Sequence, residues 1–194
     1  MPRGGGRLGV SAFPEPTRVE AGGKPPRSWR PFGILVGLIA LPLIIIDQVS
    51  KIYVASHMAL YESIAVVPNW FDITYTQNPG AAFSMFVNLP PSVRLLMLCA
   101  LSTIACVVLL VLLAQTEKIT LMSFALSLIL AGAAGNLIDR ALRNGRVIDF
   151  IRWHYYDASY PIFNVADSAI SVGVALIILS SLFGKKDVQS SPGV

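Results

Sequence analysis

The chain has 194 residues, of which 54% are hydrophobic and 13% are charged, and its formal net charge is +4. Soluble domains carry about 25% charged residues, so this composition excludes an ordinary soluble domain and indicates a membrane protein. A positive balance can indicate nucleic acid binding, but here the basic residues flank long apolar segments. That arrangement is typical of an orientation signal for membrane helices. We therefore expect no nucleic acid partner.

Four segments with little or no charge predict transmembrane helices, because about 20 apolar residues cross the hydrocarbon core of a bilayer. They cover 32–46, 95–116, 119–138 and 168–184, the last with an extension back to Tyr160. The first segment could be a signal peptide, but no small-residue cleavage pattern follows it. We interpret it as a retained helix.

The tails of the chain predict its orientation. Arginine and lysine residues precede the first segment, Lys118 lies between the second and third, and Lys185 and Lys186 follow the fourth. By the positive-inside rule, both termini lie in the cytoplasm. Residues 1–31 are rich in glycine and proline and predict a disordered cytoplasmic tail. The predicted membrane domain covers 32–184, and 185–194 form a second cytoplasmic tail.

Two connections between the predicted helices are long enough to hold structure of their own. In the connection at about 55–90, apolar and polar residues alternate over 71–76, and 64–67 also resembles a strand. These patterns predict a small sheet on the outer membrane surface. The second connection, about 141–160, contains Trp153, Tyr155, Tyr156 and Tyr160. Such residues favour the membrane interface and predict an outer loop with a short surface helix.

Polar residues collect at the outer ends of the predicted helices. Asn136 and Asp139 are three residues apart, as are Asn164 and Asp167, so each pair shares one helix face. Asp149 lies between the two pairs in sequence. A carboxylate within a span costs about 2.5–3.5 kcal/mol, so clustered acids indicate function. Two adjacent acids can share one proton, which is the chemistry of an aspartic peptidase, and the spacing is compatible with such a pair.

Structural roles compete with functional ones at several of these positions. Asp47 and Lys51 are spaced i, i+4 on one helix, which favours a structural ion pair over a catalytic role. Asp139 can serve either as a structural partner of Arg140 or as a substrate contact. The sequence contains no HExxH, GxSxG or GxGD motif, so zinc, serine and presenilin-type proteases are not indicated. We expect no metal and no organic cofactor.

Five motifs in one order resemble those of the lipoprotein signal peptidases, or signal peptidase II, a family of bacterial aspartic peptidases. They are Asp47-Gln-Val-Ser-Lys51, Asn78-Pro-Gly-Ala-Ala-Phe-Ser84, Gly135-Asn-Leu-Ile-Asp-Arg140, Val147-Ile-Asp-Phe150 and Phe163-Asn-Val-Ala-Asp-Ser168. The resemblance covers about 32–183. It implies a membrane all-α core of four transmembrane helices with a small extracytoplasmic β-cradle and a short surface helix. It also implies a multi-pass protein of the bacterial cytoplasmic (inner) membrane, with the active site near the outer face.

The resemblance also assigns roles to individual residues. Asp149 and Asp167 would form the catalytic dyad, Asp139 would brace the site, and Asp47 and Lys51 would be structural. The residues that would line the site and hold the substrate backbone or neighbouring acids are Asn78, Gly80, Asn136, Arg140 and Asn164. Gly80 begins a stretch of small residues that would let the substrate approach closely.

The implied substrate is a prolipoprotein with a diacylglyceryl-modified cysteine, cleaved on the amino side of that cysteine. Lipid anchoring would bring the scissile bond to the membrane interface. Membrane lipid is the implied surrounding, a globomycin-type cyclic peptide is the implied inhibitor, and we expect a monomer.

Two other functions stay open at this point. A small proton-coupled transporter would place polar residues through the full membrane depth, commonly within inverted repeats, and neither pattern is visible. A non-catalytic lipoprotein-binding assembly factor would tolerate Asp149→Asn and Asp167→Asn.

Overall fold

The computed structural model describes residues 28–80 and 88–183. Within these residues, four helices are long and apolar enough to span a membrane, which confirms the predicted core. They are α1 (Arg30–His57), α2 (Pro91–Ala114), α3 (Leu121–Leu142) and α4 (Val165–Phe183). Helix α1 includes the last two residues of the predicted 1–31 tail, Arg30 and Pro31. The rest of that tail up to residue 27, and the predicted 185–194 tail, lie outside the described residues.

Helix α1 contains one wider turn. Leu35–Ala40 forms a π-helical segment between two α-helical parts, and Pro42 is the second residue after it. Proline has no backbone N–H to donate, and its ring crowds the carbonyl group of the preceding turn. A π-helical turn spreads this mismatch over several residues, so the helix continues past the proline. The polar residues Asp47 and Lys51 therefore stay on the same continuous helix as the apolar first half.

A four-stranded antiparallel sheet lies next to one end of the helical bundle. Its strands are β1 (Ser63–Val67), β2 (Phe71–Asn78), β3 (Val147–Tyr155) and β4 (Ala158–Ser159), in that order across the sheet. The predicted strands at 64–67 and 71–76 are thus confirmed. We call this end, where α1 and α3 finish and α2 and α4 begin, the sheet end.

The predicted surface helix at 141–160 is wrong. Helix α3 ends at Leu142, and most of the following connection forms β3 and β4. The first four residues of β3, among them Asp149, are buried. Its aromatic residues pair across strands, as the stacked rings of Phe71 and Trp153 show, with 5.1 Å between centroids. The edge of β2 supplies the backbone partners that make a strand favourable here.

Helix α3 is the central helix and packs against the other three. Its closest approach is at Gly132, where an added Cβ would lie 2.2 Å from the backbone oxygen of Ala166 in α4. At Gly135, an added Cβ would lie 2.7 Å from Asp47 Oδ2. Away from the sheet end, a buried apolar cluster that includes Leu35, Leu113 and Leu130 fills the bundle. The absence of side chains at the two glycines lets α1, α3 and α4 meet closely beside the polar residues.

Candidate active site

Asp149 and Asp167 line the same cavity, which has a volume of about 980 Å³ and lies at the sheet end. Asn78, Asn136 and Arg140 also line it. The rest of the cavity lining comes from β2, α2, the segment before α4 and α4 itself. It includes the polar residues Thr76, Gln77 and Ser102 and the apolar residues Leu101, Ile162 and Val172. The fold therefore brings together two acids that are 18 positions apart in sequence.

Asp167 is held at the first turn of α4. Its backbone N–H donates to Asn164 Oδ1 at 2.9 Å, and the Asn164 backbone N–H donates to Asp167 Oδ2 at 3.3 Å. This reciprocal pattern has the form of a capping box, which satisfies donors that the helix itself leaves free. The other carboxylate oxygen, Oδ1, accepts a hydrogen bond from Asn136 Nδ2 at 2.8 Å. A helix start thus fixes the orientation of one acid.

Asp149 is held by a strand. It lies on β3 opposite Thr76 of β2, and its side chain is 3% exposed. Its Oδ1 accepts a hydrogen bond from Asn164 Nδ2 at 2.7 Å. Asn164 is fully buried and contacts both acids. Its side chain binds Asp149, and its side chain and its backbone N–H both bind Asp167. This single asparagine couples the geometry of the strand to that of α4.

The environment of Asp149 favours its protonated form. Burial, and to a smaller extent the negative charge of Asp167, raise the pKa of Asp149 from 3.8 to about 7. Hydrogen bonds from Asn164 and Asn78 and the positive charge of Lys51 offset part of the effect. Near neutral pH, the cavity therefore holds an acid that can be present in either protonation state, which is the condition for general acid or base chemistry.

The remaining residues predicted to contact substrate have distinct partners. Arg140 is 9% exposed, and its Nη1 and Nη2 donate to the backbone oxygens of Asn136 and Gly80, at 3.3 and 3.4 Å. Arg140 Nε has no hydrogen-bond partner within the described part of the chain. Asn78 Oδ1 accepts from the Gly80 backbone N–H at 2.9 Å. The small residues at 81 and 82, predicted to admit substrate, lie outside the described residues.

The residues predicted to be structural form a buried ion cluster next to the cavity. Lys51 Nζ lies 2.8 Å from Asp47 Oδ2 and 3.0 Å from Asp139 Oδ2, so the predicted i, i+4 ion pair is present. Asp139 is fully buried and also pairs with Arg143 on the next turn of α3. Its carboxylate is thus occupied by side chains of the bundle and by the backbone of β3, which favours the bracing role over substrate contact.

Sequence reasoning missed two members of this cluster. Gln48 Nε2 donates to Asp47 Oδ2, Asp139 Oδ1 and the backbone oxygen of Gly135, at 3.0 to 3.1 Å. Arg143 donates to Asp139 and, at 3.5 Å, to Gln48 Oε1. Gln48 is a polar residue beside Asp47 in an apolar segment, and that position was the available signal. Arg143 is spaced i, i+4 from Asp139, which also predicts a pair.

Comparisons with known proteins agree on one family. The family model described as signal peptidase (SPase) II matches residues 39–183. The chain is 40% identical over 157 residues to the lipoprotein signal peptidase of Syntrophus aciditrophicus (strain SB), covering 80% of this chain and 94% of that protein. It is 38% identical over 169 residues to that of Shewanella piezotolerans (strain WP3 / JCM 13877), covering 87% and 98%.

Solved structures give the same result. A bacterial membrane enzyme determined by the in meso method at 2.3 Å resolution is similar with a TM-score of 0.71 and 34% identity, covering 84% of this chain and 95% of that one. A second, determined at 1.9 Å, has a TM-score of 0.67 and 35% identity, covering 79% and 95%. The four helices and the sheet are thus shared with membrane enzymes of known structure.

Proposed function

The chain belongs to the signal peptidase II family, and we propose that it is an aspartic endopeptidase whose catalytic residues are Asp149 and Asp167. It is a protease of the membrane that removes signal peptides from prolipoproteins. The observation that supports the aspartic mechanism most directly is that two buried acids, from a strand and a helix start, line one cavity.

The mechanism uses one ionised and one protonated aspartate. The ionised carboxylate accepts a proton from a water molecule, whose oxygen attacks the scissile carbonyl carbon. The protonated carboxyl group donates its proton to the carbonyl oxygen, and a neutral tetrahedral diol forms. The diol then returns a proton to the ionised carboxylate, and the proton accepted from water passes to the leaving nitrogen as the C–N bond breaks. The pair ends with one proton, as it began. Because the two acids interact, the proton belongs to the pair rather than to either residue.

The lining of the cavity supports an extended peptide as substrate. Asn78, Asn136 and Arg140 supply side-chain groups that can pair with the polar atoms of a peptide backbone. Arg140 Nε is buried and has no partner among residues 28–80 and 88–183, so a substrate carbonyl oxygen can fill its hydrogen-bonding capacity. The apolar wall formed by residues such as Leu101 and Val172 suits the hydrophobic part of a signal peptide.

The proposed substrate is a prolipoprotein with a diacylglyceryl-modified cysteine, cleaved on the amino side of that cysteine. A lipid anchor and a signal helix both hold the scissile bond at the membrane interface, which lowers the entropy cost of bringing it to the aspartates. The charge distribution supports a cytoplasmic (inner) membrane location with both termini in the cytoplasm, so that the sheet end faces outward. We also propose that a globomycin-type peptide inhibits the enzyme, that membrane lipid surrounds it, and that it acts as a monomer.

The distribution of buried groups disfavours a proton-coupled transporter. The polar network lies at the sheet end, whereas the apolar cluster that includes Leu35, Leu113 and Leu130 fills the bundle beyond it. A proton relay would need ionisable groups through that cluster.

The test compares purified protein in detergent on a diacylglyceryl-modified prolipoprotein and on its unmodified form. We expect cleavage of the modified substrate by the unaltered protein, and loss of nearly all turnover in Asp149→Asn and in Asp167→Asn. Asp72→Asn is the matched control, because Asp72 is a buried acid of β2 whose charged partners among the described residues are Arg152 and His154, not the cavity residues. Cleavage that survives both cavity substitutions contradicts the dyad, and equal cleavage of the unmodified form contradicts the lipid requirement.

A further inference from the structure

The ammonium group of Lys51 is the centre of a buried network that reaches both aspartates. Lys51 is fully buried, and its Nζ has three acceptors: Asp47 Oδ2 at 2.8 Å, Asp139 Oδ2 at 3.0 Å and Asn136 Oδ1 at 3.1 Å. An ammonium group has three N–H donors, so each has a partner. The acceptors come from two helices, α1 and α3.

Each of the two carboxylates bound by Lys51 also holds a backbone N–H next to an aspartate of the cavity. Asp47 Oδ1 accepts from the N–H of Ala166, the residue before Asp167, at 2.9 Å. Asp139 Oδ2 accepts from the N–H of Ile148, the residue before Asp149, at 3.1 Å. Each N–H group belongs to the second residue of an element, Ala166 of α4 or Ile148 of β3. These two bonds set where each aspartate enters the cavity.

The third acceptor orients a side chain that touches Asp167. Asn136 Oδ1 accepts from Lys51 Nζ and from Asn164 Nδ2, at 3.1 and 3.2 Å. With its oxygen fixed by two donors, the amide must present its NH₂ group to Asp167 Oδ1, at 2.8 Å. A reversed amide would place an NH₂ group against an ammonium group and an oxygen against a carboxylate.

We propose that Lys51 is a positioning residue for the proteolytic reaction: its buried ammonium group, through Asp47, Asp139 and Asn136, sets the relative placement of Asp149 and Asp167. This inference rests on the proposed function and extends it, because the i, i+4 pair with Asp47 is only one of three contacts. A structural ion pair would need one carboxylate, whereas this arrangement connects both elements that carry the acids.

The charge of Lys51 also acts on the pair directly. The acids near Lys51 are Asp47 on α1, Asp139 on α3, Asp149 on β3 and Asp167 on α4. Two further cations of α3 act on the same acids: Arg143 pairs with Asp139, and Arg140 lies near Asp149 and Asp167. Within this group, Asp149 has a pKa that the positive charge of Lys51 lowers. Removal of this charge should therefore move the titration of Asp149 toward higher pH, a change that a loss of packing alone does not cause.

The test substitutes Lys51→Met, which keeps an unbranched side chain and removes the ammonium group. We expect kcat on the diacylglyceryl-modified substrate to fall about 100-fold, the loss typical of misplacement by about 1 Å. The KM should stay close to that of the unaltered protein, and the limb of the pH profile that Asp149 sets should move to higher pH. Arg143→Met is the matched control, because it removes a cation from the same Asp139, while Arg143 contacts Asp139 and Gln48 and, within the described part of the chain, neither Asn136 nor a cavity aspartate. Its kcat and pH limbs should stay close to those of the unaltered protein.

A second variant keeps the test decisive if Lys51→Met does not fold because it leaves buried carboxylates without their cation. Lys51→Met with Asp47→Asn removes one charge of each sign, and the asparagine oxygen can still accept from the Ala166 N–H. The same fall in kcat is expected, with a smaller movement of the limb, because the lost negative charge of Asp47 opposes the effect of the lost positive charge. An unchanged kcat in either variant, or an unmoved limb in folded Lys51→Met, overturns the positioning role.

The dyad variants separate this inference from the proposed function. If Asp149→Asn and Asp167→Asn abolish cleavage while the Lys51 variants retain full activity, only the positioning role fails. If cleavage survives both aspartate substitutions, the proposed mechanism itself fails.

Discussion

The substitution Asp149→Asn should stabilise the protein, and the gain should depend on pH. In the folded protein, burial and the charge of Asp167 raise the pKa of Asp149 from 3.8 to about 7. The folded state therefore binds more protons at this position than the unfolded state between these two values. Because stability falls with pH wherever the folded state binds more protons, the unaltered protein loses stability as the pH rises from about 4 to 7.

The magnitude follows from the difference between the two pKa values. Each unit corresponds to 1.36 kcal/mol, so ionising Asp149 in the folded state costs about 4 kcal/mol. An asparagine keeps the acceptor for Asn164 Nδ2 but has no ionisation cost. It must bury an amide, however, so the expected net gain above pH 8 is about 2–4 kcal/mol. For a chain of this size that corresponds to a rise of at least about 5 °C in the unfolding midpoint.

The assay is thermal unfolding in one detergent at one scan rate, at pH 5 and pH 8.5. We expect the midpoint of Asp149→Asn to exceed that of the unaltered protein by more at pH 8.5 than at pH 5. Asp157→Asn is the control, because Asp157 is an exposed acid of the turn between β3 and β4. Its midpoint should follow the unaltered protein at both pH values. The same difference for Asp149→Asn at pH 5 and pH 8.5 would refute the argument that burial raises this pKa.

Three further predictions follow from the site and the packing. Gly132→Ala should lower the free energy of unfolding by about 1–3 kcal/mol, because its Cβ would lie 2.2 Å from the Ala166 backbone oxygen. Gly37→Ala, whose Cβ would meet nothing within 4 Å, is the control, and equal unfolding midpoints for the two variants would contradict the packing argument. Asn164→Ala should reduce kcat far more than it changes KM, because it removes the side chain that contacts both aspartates. A full kcat in steady-state kinetics would show that Asn164 does not position the aspartates. The kcat/KM of the unaltered protein, measured from pH 5 to pH 9, should fall above about pH 7. Above this value both carboxylates are ionised, so neither can donate a proton to the scissile carbonyl oxygen. A flat profile would contradict the shared proton.

Some features of the fold were accessible from local sequence patterns. The four spans follow from apolar length, since a helix in lipid must satisfy its own backbone groups over the whole hydrocarbon core. Strand β2 follows from the alternation of apolar and polar residues over 71–76, and β1 from the short strand-like run at 64–67. The connection at 141–160 was misjudged because its aromatic residues suit either an interfacial helix or a strand. Only the available edge of β2 decides between them.

The sequence by itself determined the number of spans, the family and the list of polar residues with functional character, because each of these depends on composition, spacing or motif order along the chain. The tertiary structure decided which of those residues meet. It placed Asp149 and Asp167 in one cavity, put Asn164 between them, and gave Lys51 three acceptors rather than one. The physical reason is that a buried polar group must find its hydrogen-bond partners in space. Those partners come from helices and strands whose mutual positions no local pattern records.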